Sequence, residues 1–362
     1  MSTGHPGVHR VGIAALADYR DRIDVRSPAE YALDHAPGAL NHAVLDDAQR
    51  ARIGTLYAES PFAARRLGAA LVARNIADML ETAFNAHPRE WRPLVYCWRG
   101  GQRSRALVQV LQEVGWRAAQ LEGGYRAYRR HVVAELEHRP LQFDFVVLRG
   151  LTGSGKSRLL AALASEGAQT LDLEGIARHR GSLLGGLPDD PQPSQKSFES
   201  QLLDALGRLD PARPVYVESE SRRIGSVQMP DALLSRMRAG RTVNLVTPVE
   251  RRVALLKEEY AHYLARPPLL VSRLEALTEL RGKAAIGRWS AMAAAGDWDN
   301  LIAELLNLHY DPTYGRSLER NFPAGAEAVT VEASDVSRSG FAALARELRS
   351  RLEAAERAGS QS

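Results

Sequence analysis

"VVLRGLTGSGKSRLL", residues 146–160, decides how the second half of the chain is read. The apolar run ahead of Arg149 has the length and composition of a buried strand, and Leu159 and Leu160 begin a helical pattern. Between them Gly150, Gly155, Lys156 and Ser157 satisfy G-x-x-x-x-G-K-[ST]. A flexible glycine linker would not come with a strand before it and a helix after it. Backbone N–H groups from Gly153 through Ser154 and Gly155 to Ser157 would cradle a diphosphate, with Lys156 neutralising its charge. The Ser157 hydroxyl could hold Mg²⁺.

Working outward, "EHRPLQ" at 137–142 is a polar, proline-containing break, which places a domain boundary near residue 140 and divides the chain into 1–139 and 140–362. From Pro248 to Tyr310 the periodicity is helical, and the tail from Glu353 onward is expected to fray. The second domain therefore reads as a P-loop NTPase-like α/β unit with a helical C-terminal part. "TLDLEG" sets Asp172 at one strand end and "PVYVESES" sets Glu218 at another, with Arg222 and Arg223 following. These four are candidate acidic or ligand contacts, but they do not make a plain Walker B pair. No metal site is assigned, and Mg²⁺ is left open. The chain has no Asn-Lys-x-Asp guanine-reading motif and no obvious hydrolytic base. The loop is thus expected to hold a diphosphate as leaving group, without hydrolysis of a nucleotide.

Upstream, residues 11–137 alternate short apolar runs with helical stretches, as in a small α/β domain with a parallel sheet. "VYCWRGGQRSRA", residues 95–106, contains the only cysteine of the 362 residues. One thiol excludes an internal disulfide, a cysteine-rich zinc site and an iron–sulfur cluster held by several thiolates. A strand ending at Cys97, a turn at Gly100 and Gly101, and a helix starting near Ser104 would direct N–H groups at the sulfur, with positive charge from Arg99, Arg103 and Arg105. That surrounding suits an anion. A small hydrophobe ending a core strand would not need it.

Lys and Arg number 47 against 43 Asp and Glu, a net charge of +4. The balance tolerates a polyanionic partner without demanding one. Basic residues bunch at Arg178–Arg180, Arg222–Arg223, Arg236–Arg241 and Arg251–Arg252; each cluster alone suits a solvated face, and together they could flank phosphates. The N-terminus lacks an apolar signal region, and the sequence lacks a run of about 18 apolar residues. A cytoplasmic protein with no membrane contact is expected.

The thiol loop resembles the active-site loop of rhodaneses. "DVRSPAEY" (24–31), "PGALNHAVL" (37–45) and "LEGGYRAY" (121–128) extend that resemblance over residues 11–138. It implies a rhodanese-like parallel-sheet domain carrying sulfur or selenium on Cys97. Together with "LTGSGKS", "DLEGIARHRGS", "QPSQKSFES", "VESESRRIG" and "HYDPTY", the domain order resembles the tRNA 2-selenouridine synthase family over nearly the whole chain. "HRGSLLGG" (179–186) departs slightly from that family's pattern. The resemblance implies a transferase that turns wobble-position 2-thiouridine of tRNA into 2-selenouridine. Selenophosphate would be the selenium donor, with an S-geranyl intermediate made from geranyl diphosphate. It also implies that Cys97 carries selenium and the Lys156 loop binds the diphosphate ligand, with no tightly bound cofactor; a monomer is expected. Two other classes compete. One is a rhodanese-linked P-loop kinase or ATPase acting on a small molecule, and the other is a non-enzymatic RNA-binding module.

Overall fold

The computed structural model describes residues 7–182, 184–186, 189–323 and 328–359. Leu183 of "HRGSLLGG", the first six residues and the last three residues of the tail lie outside the described residues. Two compact units change over between Leu136 and Glu137, three residues before the expected boundary. Pro193–Asp204, assigned to the second domain from sequence, groups instead with the first unit. The reason is long-range bonding: Ser194 Oγ donates to Leu33 O at 2.5 Å, and Arg129 bonds Ser200 Oγ at 3.3 Å and pairs with Glu199.

In the first unit β1 (Arg10–Val11), β2 (Arg22–Asp24), β3 (Ala39–Asn41), β4 (Leu94–Tyr96) and β5 (Ala119–Leu121) form a parallel sheet in the order β1-β5-β4-β2-β3. All three residues of β4 are buried, as a central parallel strand covered on both faces requires. Ile23, Val25 and Val95 pack against Leu107, Val108 and Leu111, the apolar stripe of the helix Gln102–Val114. That packing brings the helix start back to the carboxyl end of β4.

The second unit carries β6 (Phe145–Arg149), β7 (Gln169–Leu171), β8 (Val215–Glu218), the antiparallel pair β9 (Arg223–Ile224) and β10 (Val227–Gln228), β11 (Arg241–Val246) and β12 (Val329–Glu332). Its main sheet is parallel, in the order β12-β11-β6-β8-β7. The chain leaves β6 toward β7 and later returns to its other side as β11, so a crevice opens at the carboxyl end of β6. Leu159, Leu160 and Leu163 of the helix Lys156–Ser165 share a core with Phe341, Leu344 and Leu348 of the helix Arg338–Gly359. Where fraying is expected from Glu353, the last helix continues to Gly359, although among the described residues those it packs into the core end at Leu352. The helical part surrounds fully buried Trp289, against which Tyr263, Leu270, Leu274, Leu301 and Leu305 collect.

Candidate active sites

In the first unit Cys97 follows β4 directly and is 3 % exposed. The Gly101 N–H and the Ser104 hydroxyl both donate to its Sγ at 3.2 Å. Ser104 is itself held by Gln120 Nε2 at 2.8 Å, and the same amide donates to Gly100 O and Gly101 O at 2.9 and 3.0 Å. Gln120 therefore fixes both the hydroxyl and the turn that face the sulfur; sequence reading passed over it because a buried glutamine in a short strand carries no motif. Arg103 pairs with Glu30 at 2.8 Å, while Arg99 and Arg105 are exposed.

The back of the loop is set by Gly124, whose φ of +56° favours glycine. A Cβ there would lie 2.2 Å from Cys97 O and 2.4 Å from Gly100 N. Tyr125 N–H donates to Cys97 O at 2.8 Å, and its ring lies 3.8 Å from the Arg26 guanidinium. Arg26 in turn forms a buried ion pair with Asp24 at 2.5 Å. "DVRSPAEY" and "LEGGYRAY" thus meet behind the thiol.

The second site is a cavity of about 560 Å³ at the carboxyl end of β6, lined by Gly153, Gly155, Lys156 and Ser157 among others. Gly153 has φ +75°, and a Cβ on it would fall 2.8 Å from the Leu256 side chain, so the loop lies tight against the helix Val249–Glu259. Thr247 Oγ1 donates to Ser154 O at 2.8 Å, and Lys156 Nζ donates to Gly150 O at 3.0 Å. Arg252, counted from sequence in a basic cluster, is buried and braces the loop. It donates to Thr152 O at 2.9 Å and pairs with Asp311 at 2.6 Å.

Facing Lys156 are Glu174, Glu218 and Glu220, with carboxylate oxygens within 4.8 Å of one another. Ser157 Oγ donates to Glu174 at 3.4 Å. Both oxygens of Glu218 are enclosed without a hydrogen-bond partner. Burial first, and then the charge of Glu174, push the Glu218 carboxyl up to about 8. Burial and mutual repulsion raise Glu174 and Glu220 as well. Burial works against the charge on Lys156, yet Tyr314, Glu218, Glu174 and Glu220 together lift its pKa above the ordinary lysine value. An all-oxygen donor set with unpaired buried carboxylate oxygens fits a hard divalent cation such as Mg²⁺.

Asp172 and Glu218 both line this cavity. Asp172 spends one oxygen on the N-cap bond from Gly175 N–H at 2.8 Å. Arg222 pairs with Asp231 at 2.6 Å, both exposed, and Arg223 lies in β9; neither lines the cavity. Glu174 and Glu220 were missed, although Glu220 stands two residues past Glu218, the same-face spacing of an extended chain. Tyr314, whose ring lies 5.4 Å from Lys156 Nζ, closes the segment "HYDPTY" and is another wall residue, one to which the sequence reading assigned no role.

Fold and sites together define a rhodanese-like domain joined to a phosphate-loop domain. Residues 14–131 match the family described as "Rhodanese-like domain", and residues 143–280 match "tRNA 2-selenouridine synthase AAA domain". A protein of Shewanella loihica named tRNA 2-selenouridine synthase is 34 % identical over 288 residues, covering 78 % of this chain and 74 % of that one. A Sulfurovum protein of the same name is 32 % identical, covering 83 % and 89 %. One from Nitrosomonas europaea is 36 % identical, covering 66 % and 63 %. The chain belongs to the tRNA 2-selenouridine synthase family.

Two outcomes test this geometry. Gly124→Ala is expected to destabilise the first unit by roughly 1–3 kcal/mol through the clash and the left-handed φ; an unchanged urea midpoint would contradict the packing described. Glu218 keeps its proton to about pH 8 when folded and only to the ordinary carboxyl range when unfolded. Its stabilising contribution is therefore complete below the unfolded pKa and is lost as pH rises toward 8. Glu218→Gln should flatten this loss, melting several degrees above the parent at pH 8 in EDTA and converging with it near pH 5. Parallel melting curves across that range would refute the buried-carboxyl assignment.

Proposed function

We propose that this protein is an enzyme that replaces the sulfur of wobble-position 2-thiouridine in tRNA by selenium, in two chemically separate steps. The observation that carries the reading is the pairing, in one chain, of a thiol held by two hydrogen-bond donors with a phosphate loop facing three carboxylates. The relatives' shared name supports the tRNA substrate and the selenium product.

In the first step the thiouridine sulfur attacks C1 of geranyl diphosphate. The C–S bond forms, the C–O bond breaks with its electrons leaving on diphosphate, and N3 of the base loses a proton. Lys156 and the N–H groups from Gly153 to Ser157 stabilise the departing charge. Glu174, Glu218, Glu220 and the Ser157 hydroxyl would hold Mg²⁺, which supplies charge neutralisation between carboxylates and diphosphate when bound. Alkylation turns a poor leaving group into a thioether that departs as geranyl thiol.

In the second step a selenium nucleophile derived from selenophosphate adds at C2 of the base, the C–S bond breaks, and the thiol leaves with a proton. Selenium in selenophosphate is already at the oxidation level of selenide, so this exchange needs no electron transfer; the phosphoryl group is lost to water. Cys97 and its donors meet the selenium donor. Storage as a Cys97 perselenide would need an added two-electron oxidant.

The test uses thiolated tRNA, geranyl diphosphate and selenophosphate, with nucleosides resolved by mass. Cys97→Ala should lose selenouridine and accumulate geranylthiouridine, and Lys156→Ala should lose both products by about 100-fold or more. Normal selenouridine from Cys97→Ala would remove the thiol from the reaction. ATP turnover without tRNA, and no modified base, would favour the small-molecule kinase or ATPase reading.

A further inference from the structure

Beside the phosphate cavity lies a second, smaller pocket of about 50 Å³ in the same unit, and its composition is the opposite. Leu184, Leu264, Leu270, Leu301 and Leu305 line it together with Trp298. The two cavities share Thr152, Ser182, Leu256, Tyr260 and Tyr310. These shared residues form a seam with hydroxyls and hydrocarbon side by side. Tyr260 and Ser182 place their hydroxyl oxygens 3.4 Å apart. Leu256, which walls both spaces, is also the side chain on which Gly153 of the phosphate loop rests. The segment Leu306–Tyr310, contributing Leu306 to the apolar pocket and Tyr310 to both, is a π-helical turn, a local distortion that occurs often at functional sites.

We propose that this apolar pocket takes the hydrocarbon tail of the diphosphate ester whose head occupies the phosphate loop, and that its walls set the permitted chain length. The proposal rests on the reading that the loop holds a prenyl diphosphate. A polar cavity for the head and an apolar one for the tail, joined across an amphipathic seam, match an ester with a charged end and a short branched hydrocarbon. The enclosed volume takes only part of a ten-carbon chain, and the half-buried Leu264, Trp298 and Ile302 supply apolar surface for the remainder. Each methylene transferred from water into such a site strengthens binding by about fourfold when burial is complete. The pocket and its half-buried rim therefore reward the carbons of a short chain, and carbons that reach beyond the rim gain nothing.

Binding of inorganic diphosphate and of dimethylallyl, geranyl and farnesyl diphosphates to the full chain, measured calorimetrically with Mg²⁺ present, tests this. Geranyl diphosphate should bind at least about tenfold tighter than inorganic diphosphate, with no further gain for the farnesyl ester. Leu264→Trp, which adds bulk at a half-buried position, should abolish the tenfold advantage and leave inorganic diphosphate binding unchanged. Trp298→Ala, which enlarges the pocket, should shift preference toward the farnesyl ester. If inorganic diphosphate binds and chain length has no effect in the parent protein, the tail site is overturned while the phosphate-loop reading survives. If inorganic diphosphate does not bind, both fall. Should either variant fail to fold, the chain-length series in the parent protein still decides.

Discussion

The second unit is organised around one electrostatic problem, a lysine ammonium enclosed with three glutamates at the end of a central parallel strand. Lys156 is held in place by carbonyls of its own loop, and the carboxylates facing it crowd one another. With one cation against three potential anions in a site of low polarisability, protons or a metal ion must settle the balance. The raised carboxyl groups are the proton version of that settlement. Arrival of a diphosphate would add more negative charge and make a divalent cation the simpler partner. Strand order, the helix Arg338–Gly359 behind the sheet and the Arg252–Asp311 brace all serve to keep this arrangement from relaxing.

The first unit handles its reactive atom by another route. Cys97 receives two neutral hydrogen bonds, and a glutamine rather than a charge holds those donors. Nearby arginine charge is spent on Glu30 and, deeper, on Asp24. Directional N–H and O–H donors fix the orientation of the sulfur without locking it into an ion pair.

Much of this architecture could be read from residue order. The glycine pattern around Lys156 and the strand ahead of it placed the phosphate loop, and the Cys97–Ser104 segment placed the thiol turn. What escaped was whatever depends on packing between distant segments. Glu174 hid behind Asp172, the residue nearer the strand end, which is occupied in capping. Tyr314 reaches Lys156 from a helix far along the chain. Arg252 looked like part of a solvated basic face and is a buried strut, because a count of charges along the sequence carries no information about burial. Pro193–Asp204 changed unit for the same reason: its hydrogen bonds are to residues that periodicity does not connect.

The claim on which the account turns is that the carboxylate-lined phosphate cavity accepts a diphosphate only together with a divalent cation. Calorimetric titration of the full chain with inorganic diphosphate at pH 9, above the range in which the raised carboxyls hold their protons, once in millimolar Mg²⁺ and once in EDTA, measures this directly. The account predicts affinity lower by at least about tenfold in EDTA, since removal of the cation leaves like charges facing each other across a poorly solvated gap. Equal affinity in the two buffers would contradict it, and would mean that Lys156 and the loop N–H groups alone outweigh Glu174, Glu218 and Glu220.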